Sequence, residues 1–82
     1  WMARPFKNHE NHPELAALGI AVRQLRQQKN LSQEALADIT GIDRSYMGGI
    51  ERGEHNVALI NMKKIADSLE ASLADLMGAA GL

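Results

Sequence analysis

Cysteine is absent from the 82 residues, which excludes a disulfide framework and any metal site built on thiolates. Long hydrophobic runs are absent as well. No apolar stretch approaches the roughly 20 residues of a membrane-spanning helix, and no segment resembles a secretion signal. Aromatic residues are scarce, at 4%, while the hydrophobic share of 45% is ordinary for a globular domain. We therefore expect a cytoplasmic protein that does not contact a membrane.

A surplus of charge of one sign is missing too, since 9 Lys and Arg residues oppose 10 Asp and Glu residues, for a net charge of -1. Domains that bind nucleic acids are often strongly basic, so the total charge favours a module that binds another protein. The distribution of charge points the other way, because residues 15–33 carry Arg23, Arg26 and Lys29 and no acidic residue. Charge alone leaves both interpretations open.

Groups that carry catalysis or hold a metal ion are also lacking. No nucleophile with a neighbouring base and no pair of carboxylates occurs at workable spacing, so we expect no enzyme activity. His9 and His12 stand three residues apart in a polar segment, but two histidines in an arm do not close a metal site. We therefore predict no metal, no cofactor and no small-molecule ligand.

The length of the chain favours one domain. Residues 1–12 show no apolar periodicity, and Trp1 before Met2 suggests a residue added ahead of the native start. The predicted organisation is a flexible N-terminal arm at 1–12, a folded domain at 13–77 and a fraying C-terminal tail at 78–82.

Apolar side chains repeat at intervals of three and four along most of the remaining chain, which is the period of an α-helix. Pro13 suits the first position of the first helix, and Asn30 is expected to end it. A second stripe predicts a fourth helix. The first stripe consists of Leu15, Leu18, Ala21, Val22 and Leu25, and the second of Leu59, Met62, Ile65, Ala66 and Leu69.

Capping residues divide the chain further. Ser32 and Asp43 suit the N-caps of a second and a third helix, and Ser72 with Asp75 resembles a capping box that opens a fifth. Gly41 can take the left-handed conformation of a tight turn. With no convincing strand and no repeat, the pattern predicts an all-α domain of five short helices. The segments LSQEALADI, TGI and DRSYMGGIERG predict a helix-turn-helix within it.

The third helix, at about residues 43–52, has two distinct faces when its residues are placed at about 100° intervals. One face carries two arginines, a serine and two glycines, with no acid and no large apolar group. A guanidinium can read guanine through two hydrogen bonds, and a serine hydroxyl bonds several base edges, so this face suits the major groove of DNA. Its members are Arg44, Ser45, Gly48, Gly49 and Arg52.

Gly48 and Gly49 are an unusual pair, because each glycine inside a helix costs about 0.5–1 kcal/mol relative to alanine. One interpretation is a break in the helix. The other is that both glycines lie on the exposed face and allow close approach to DNA, since Ile50 keeps the helical phase set by Met47. On the second interpretation, alanine at both positions stabilises the free protein without improving DNA binding.

Residues 15–77 resemble the Xre or lambda-repressor-like (Cro/C1-type) helix-turn-helix family, and DRSYMGGIERGEHN is most similar to the controller proteins of restriction-modification systems. The resemblance implies a compact five-helix domain that regulates transcription. It would bind a palindromic operator in double-stranded DNA as a homodimer, with the third helix in the major groove. A phage-type repressor, an antitoxin-like regulator and a fold that binds protein without DNA are the alternatives.

The resemblance also implies roles for single residues. Residues on the face that holds the two glycines would contact base edges, and residues around that face would contact phosphates. One ion pair would stabilise the fold. Taken from their positions alone, Arg44 could be a solvated charge, Gln33 a helix-start residue and Tyr46 part of the core. The base-reading set is Arg44, Ser45, Gly48 and Gly49; the backbone set is Gln33, Tyr46, Arg52 and Asn56; the ion pair is Arg26 with Glu51.

Two expectations concern the last helices. Ala58 stands where relatives commonly place Ser or Thr at the start of the fourth helix, and a missing cap costs about 1 kcal/mol. The fifth helix is the candidate dimer surface, through Leu73, Leu76 and Met77. The alternative is that these side chains close the core of the monomer.

Overall fold

Five α-helices make up the regular structure of residues 12–82, the part of the chain that the computed structural model describes. The all-α class is confirmed, and no strand occurs among these residues. Most of the predicted arm, with Trp1 and His9, lies outside the described residues. The helices are α1 (Pro13–Gln28), α2 (Gln33–Thr40), α3 (Arg44–Glu51), α4 (Leu59–Ser68) and α5 (Leu73–Ala79).

The helices begin where the capping residues predicted. The Ser32 hydroxyl accepts from the Ala35 N–H at 3.0 Å, and the Asp43 carboxylate accepts from the Tyr46 N–H at 3.2 Å. Ser72 forms the complete capping box at the start of α5. Ala58, by contrast, caps α4 without a side-chain hydrogen bond, so the predicted missing cap is confirmed.

Two helix ends share a left-handed residue followed by a serine cap. Asn30 closes α1 at φ 57°, and Glu70 closes α4 at φ 58°. The sequence indicated the first, since Asn tolerates this conformation, but not the second. In both cases a serine stands two residues after the left-handed residue and is the N-cap of the next helix: Ser32 for α2 and Ser72 for α5. An ion pair between Lys29 and Glu70 joins the two turns.

The core is formed where all five helices meet, and its fully buried side chains come from each of them. Leu59, the first residue of the predicted stripe, belongs to α4 but does not join the core. Leu59 is the first residue of α4 and follows exposed Ala58, so it lies at the helix end rather than on the packed face. The largest fully buried side chains are Val22, Leu36, Met47, Ile50, Ile65 and Leu76.

Regular structure extends into the predicted C-terminal tail at 78–82. Helix α5 continues to Ala79, two residues beyond the predicted boundary. Gly81 then takes φ 76°, and the Leu82 N–H donates to the Met77 carbonyl at 2.8 Å. Ala80 packs against the core. Within residues 12–82, no helix is long and apolar enough to cross a membrane.

Candidate nucleic-acid interface

The turn between α2 and α3 is closed by hydrogen bonds. Gly41 takes φ 76°, and the N–H groups of Gly41 and Ile42 donate to the Ala37 carbonyl at 2.8 and 3.1 Å. The Thr40 hydroxyl donates to the Leu36 carbonyl at 2.9 Å and accepts from the Ile42 N–H at 3.3 Å. Thr40 had not stood out in the sequence. These bonds close the C-terminal end of α2 and hold the turn that leads into α3.

The outward side of α3 is cationic near both ends. Arg44 and Ser45 are exposed in its first turn, and Arg52 is exposed directly after its last residue. Glu51, the one acid of α3, has only 2% of its side chain exposed, so it does not oppose the arginines at the surface. Asn56 is exposed in the loop that follows. Within Arg44–Glu51 the exposed side chains are therefore cationic or polar, while the carboxylates beside the helix belong to Asp43, its N-cap, and to Glu54, the partner of Arg52.

Gly48 and Gly49 are buried, so the prediction that they form an open surface is wrong. A Cβ atom at Gly48 would lie 3.0 Å from Nη1 of Arg52 and 3.4 Å from Oε1 of Gln33. At Gly49 it would lie 2.2 Å from Nε2 of His55. Gln33 of α2, Arg52 and His55 cover the glycines, and of these three a helical wheel shows only Arg52, because it contains only one helix. The predicted stabilisation by alanine is therefore offset at Gly49, where the His55 ring would have to move.

Tyr46 is half-buried at the boundary between the core and the exposed side of α3. It packs against the core and also stacks on His55, with ring centroids 4.5 Å apart and an angle of 21° between the planes. The boundary position expected for Tyr46 is thus found. The partner is a residue that sequence reasoning missed, because the stack depends on how the loop after α3 returns along the helix.

Glu51 connects three helices through buried hydrogen bonds. Arg26 of α1 donates from Nε to Oε2 at 2.6 Å and from Nη2 to Oε1 at 3.0 Å, which is the pair that the resemblance implied. Gln33, the first residue of α2, donates from Nε2 to the same Oε1 at 3.0 Å. Arg26 also donates to the Leu31 carbonyl at 2.7 Å. The Gln33 amide is thereby held at the N-terminus of α2, where unpaired backbone N–H groups attract an anion.

Gly19 is a second residue that sequence reasoning missed. A Cβ atom there would lie 2.5 Å from the carbonyl oxygens of both Ile50 and Glu51, so α1 crosses the end of α3 at backbone contact. Gly53, at φ 74°, would place a Cβ atom 2.8 Å from Cα of Ala16. A glycine within an apolar helical stripe is the available signal for such a crossing. The absence of side chains at these two glycines allows the C-terminal end of α3 to pack closely against α1.

Arg52 shares its charge with Glu54 at the surface. Its Nε donates to Oε2 at 2.8 Å, and its Nη2 donates to Oε1 at 3.2 Å. The hydrogen bond to Arg52 holds the pKa of Glu54 below its usual value, and the same bond raises the pKa of Arg52. An incoming phosphate would therefore compete with a carboxylate for this guanidinium.

The apolar surface does not lie where the sequence placed the dimer contact. Leu76 is fully buried, so its assignment to a dimer surface is wrong: the helical phase directs it into the core. Leu73 and Met77 are half-buried against that core. Instead, Leu59 and Ile60 are adjacent at the start of α4 and are 61% and 68% exposed. The other large apolar side chains that are exposed in residues 12–82 are Ile20, Ile39 and Leu82.

The described residues form no candidate metal-binding cluster. No group of three or more His, Asp or Glu side chains in residues 12–82 is arranged to hold a metal ion. His12 is the N-cap residue of α1, and His9 lies outside the described part.

Comparison with known proteins places this arrangement among regulators. Residues 22–76 match the family model described as helix-turn-helix. The control protein C.SmaI of Serratia marcescens is 44% identical over 61 residues, which are 74% of this chain and 73% of that protein. The crystal structure of the restriction-modification controller protein C.AhdI from Aeromonas hydrophila matches with a TM-score of 0.77 and 46% identity, covering 79% of this chain and 98% of that one. The regulator SinR, solved in complex with DNA, matches with a TM-score of 0.69 and 30% identity over 72% of this chain and 95% of that one.

Proposed function

The chain belongs to the helix-turn-helix family, and from that premise we propose that it is a sequence-specific DNA-binding transcription regulator of the restriction-modification controller type. Its similarity to control proteins over most of both chains supports this class. The matching proteins described here are regulators and control proteins rather than enzymes. Such a regulator would act in the cytoplasm, where it meets double-stranded DNA.

The observation that carries the proposal is the charge arrangement of α3. Arg44 and Arg52 are exposed near its two ends, whereas Glu51 is turned inward and held by Arg26. A helix that enters a DNA groove meets phosphates on both sides, so an exposed carboxylate on it would oppose binding. The near-neutral total charge of the chain is therefore compatible with an exposed guanidinium at the start of α3, from Arg44, and a second at its end, from Arg52, which Glu54 partly neutralises.

We assign contacts according to what each side chain can reach. Arg44 and Ser45, in the first turn of α3, would meet base edges in the major groove. Phosphates would be held by Gln33 at the start of α2, and by Tyr46, Arg52 and Asn56 around α3. Gly48 and Gly49 take no part as an open surface, because other side chains already cover them.

A homodimer on a palindromic operator completes the proposal, with two α3 helices in successive major grooves about 34 Å apart. The exposed pair Leu59 and Ile60 is a better candidate for the dimer contact than Leu76, since large apolar side chains that are adjacent and exposed are typical of interfaces. Sedimentation of Ile60→Lys should show a shift toward monomer. Ile20→Lys, a matched change at an exposed isoleucine of α1, should not; equal behaviour of the two variants would move the contact elsewhere.

The test of DNA recognition starts with selection of bound sequences from a random pool, followed by affinity measurements on the selected site. Arg44→Ala should weaken binding to that site by about 1–3 kcal/mol, because it removes a bidentate contact. Arg23→Ala is the matched control, since Arg23 is exposed on α1 and carries the same charge. A loss under about 1 kcal/mol for Arg44→Ala, or an equal loss for both variants, would refute the base-reading role.

A protein-binding module that keeps the fold without DNA is the second candidate. The net charge of -1 and the exposed apolar side chains favour it. Non-specific DNA binding is strongest at low salt, so a gel shift under that condition distinguishes the two. Absence of any shift at low salt would leave the protein-binding module as the better account.

A further inference from the structure

The ring of His55 occupies the space that the missing side chain of Gly49 leaves on α3. A Cβ atom at Gly49 would lie 2.2 Å from Nε2, 2.4 Å from Cδ2 and 3.3 Å from Cε1 of this ring. These distances are too short for any real contact, so a side chain at this position would require the His55 ring to move from Gly49. Gly49 therefore serves as a seat for His55.

The seat lies beside Tyr46. Positions 46 and 49 are three apart in a helix and so face the same side, one turn from each other. The His55 ring stacks on Tyr46 with centroids 4.5 Å apart, and Tyr46 also packs against the core. A tyrosine on an open helix surface would sample several rotamers, whereas one confined by the core and a second ring holds a single orientation.

We infer that His55 is a positioning residue for DNA recognition: seated on Gly49 and stacked on Tyr46, it fixes the tyrosine ring in its DNA-binding orientation before DNA arrives. The inference rests on the proposed function and deepens it. A side chain that is already ordered loses less conformational freedom when the complex forms, which favours binding. Because Tyr46 is assigned to a phosphate contact, which does not depend on base sequence, the benefit should appear on the operator and on random DNA alike.

Three variants test this by fluorescence anisotropy on the selected operator and on a random duplex. His55→Ala removes the stack and should weaken operator binding roughly threefold to tenfold, the effect of ordering one side chain. Its affinity for the random duplex should fall by a similar factor, because the contact of Tyr46 is with a phosphate. His55→Phe restores a stacking ring and should recover operator binding to within twofold of wild type. Gly49→Ala displaces the ring and should behave like His55→Ala, and the double variant should be no weaker than either single one.

The stack can be observed without DNA. Tyr46 is the only tyrosine of the chain, so its ring signals in an NMR spectrum need no further assignment. Ring-current shifts of these signals should be present in wild type and His55→Phe, and should diminish in His55→Ala and Gly49→Ala. Thermal unfolding of each variant verifies that the domain remains folded.

The outcomes separate this inference from the function on which it rests. If wild type binds neither duplex at low salt, the proposed function fails, and the positioning role fails with it. If wild type binds but His55→Ala keeps its operator affinity within twofold while the Tyr46 signals change, only the positioning role is refuted. If His55→Phe loses as much affinity as His55→Ala, the imidazole itself acts on DNA, and positioning is again refuted.

Discussion

Removing the carboxylate of Glu51 should come close to unfolding the domain. Glu51 accepts three hydrogen bonds, two from Arg26 and one from Gln33, with 2% of its own side chain and 11% of the Arg26 side chain exposed. Glu51→Ala leaves the buried guanidinium of Arg26 with the Leu31 carbonyl as its remaining hydrogen-bond partner among residues 12–82, and a buried charge that loses its partner costs about 3–5 kcal/mol. The whole free energy of unfolding of a domain this size is about 4–12 kcal/mol.

Urea unfolding followed by circular dichroism measures this loss. Asp38→Ala, at an exposed acid of α2, is the control and should change the free energy of unfolding by about 0.5 kcal/mol or less. The double variant Arg26→Met with Glu51→Leu should lose much less than Glu51→Ala, because no unpaired buried charge remains. A cost below about 1 kcal/mol for Glu51→Ala, or a double variant whose loss equals the sum of the single losses, would refute this reasoning.

Three further changes are testable by thermal or acid unfolding. Gly19→Ala should destabilise the domain by about 1–3 kcal/mol, because its Cβ would meet backbone oxygens at 2.5 Å. Gly78→Ala is the control: a Cβ there has nothing within 4 Å, so alanine should stabilise the domain by about 0.5–1 kcal/mol. Equal effects of the two variants would contradict the close crossing of α1 and α3. Ala58→Ser should raise the melting temperature by supplying the cap that α4 lacks, worth about 1 kcal/mol, and an unchanged melting temperature would mean that water already satisfies this helix end. Lys29 lowers the pKa of Glu70 in the fold, so their pair stabilises the protein above the unfolded pKa of Glu70 and this contribution is lost as pH falls through the folded pKa. The difference in melting temperature between wild type and Glu70→Gln should therefore be small, present at neutral pH and absent in acid; a difference that grows in acid would contradict the pairing.

Much of the candidate interface could be predicted because it is local. Arg44 and Ser45 follow an N-cap that the sequence shows, and helical phase places them away from the core side of α3. The Arg26–Glu51 pair was also expected, but through family resemblance rather than from spacing, since 25 positions separate the two residues. Its connection to Gln33 was not expected, because it requires the starts and ends of three helices to meet.

The errors arose where a second element covers the first. Gly48 and Gly49 lie on the side of α3 that holds Arg44, yet Gln33 of α2 and His55 of the following loop lie against them. Leu76 carries a helical pattern that suits either a core or an interface, and only packing against the other helices shows that it is buried. The periodicity of a single helix indicates which residues share a face, but it does not indicate which other segments pack against that face.

The sequence by itself determined the five helices, their serine and aspartate caps, the glycine turn of the helix-turn-helix and the cationic side of α3. These follow from interactions within a few residues: backbone hydrogen bonds, capping side chains and the helical period. Only the tertiary structure decided that Gly19 lets α1 touch the end of α3, that Glu51 is buried among three helices and that His55 rests on Gly49 against Tyr46. Those contacts join segments distant in sequence, and their geometry exists only once the core has packed.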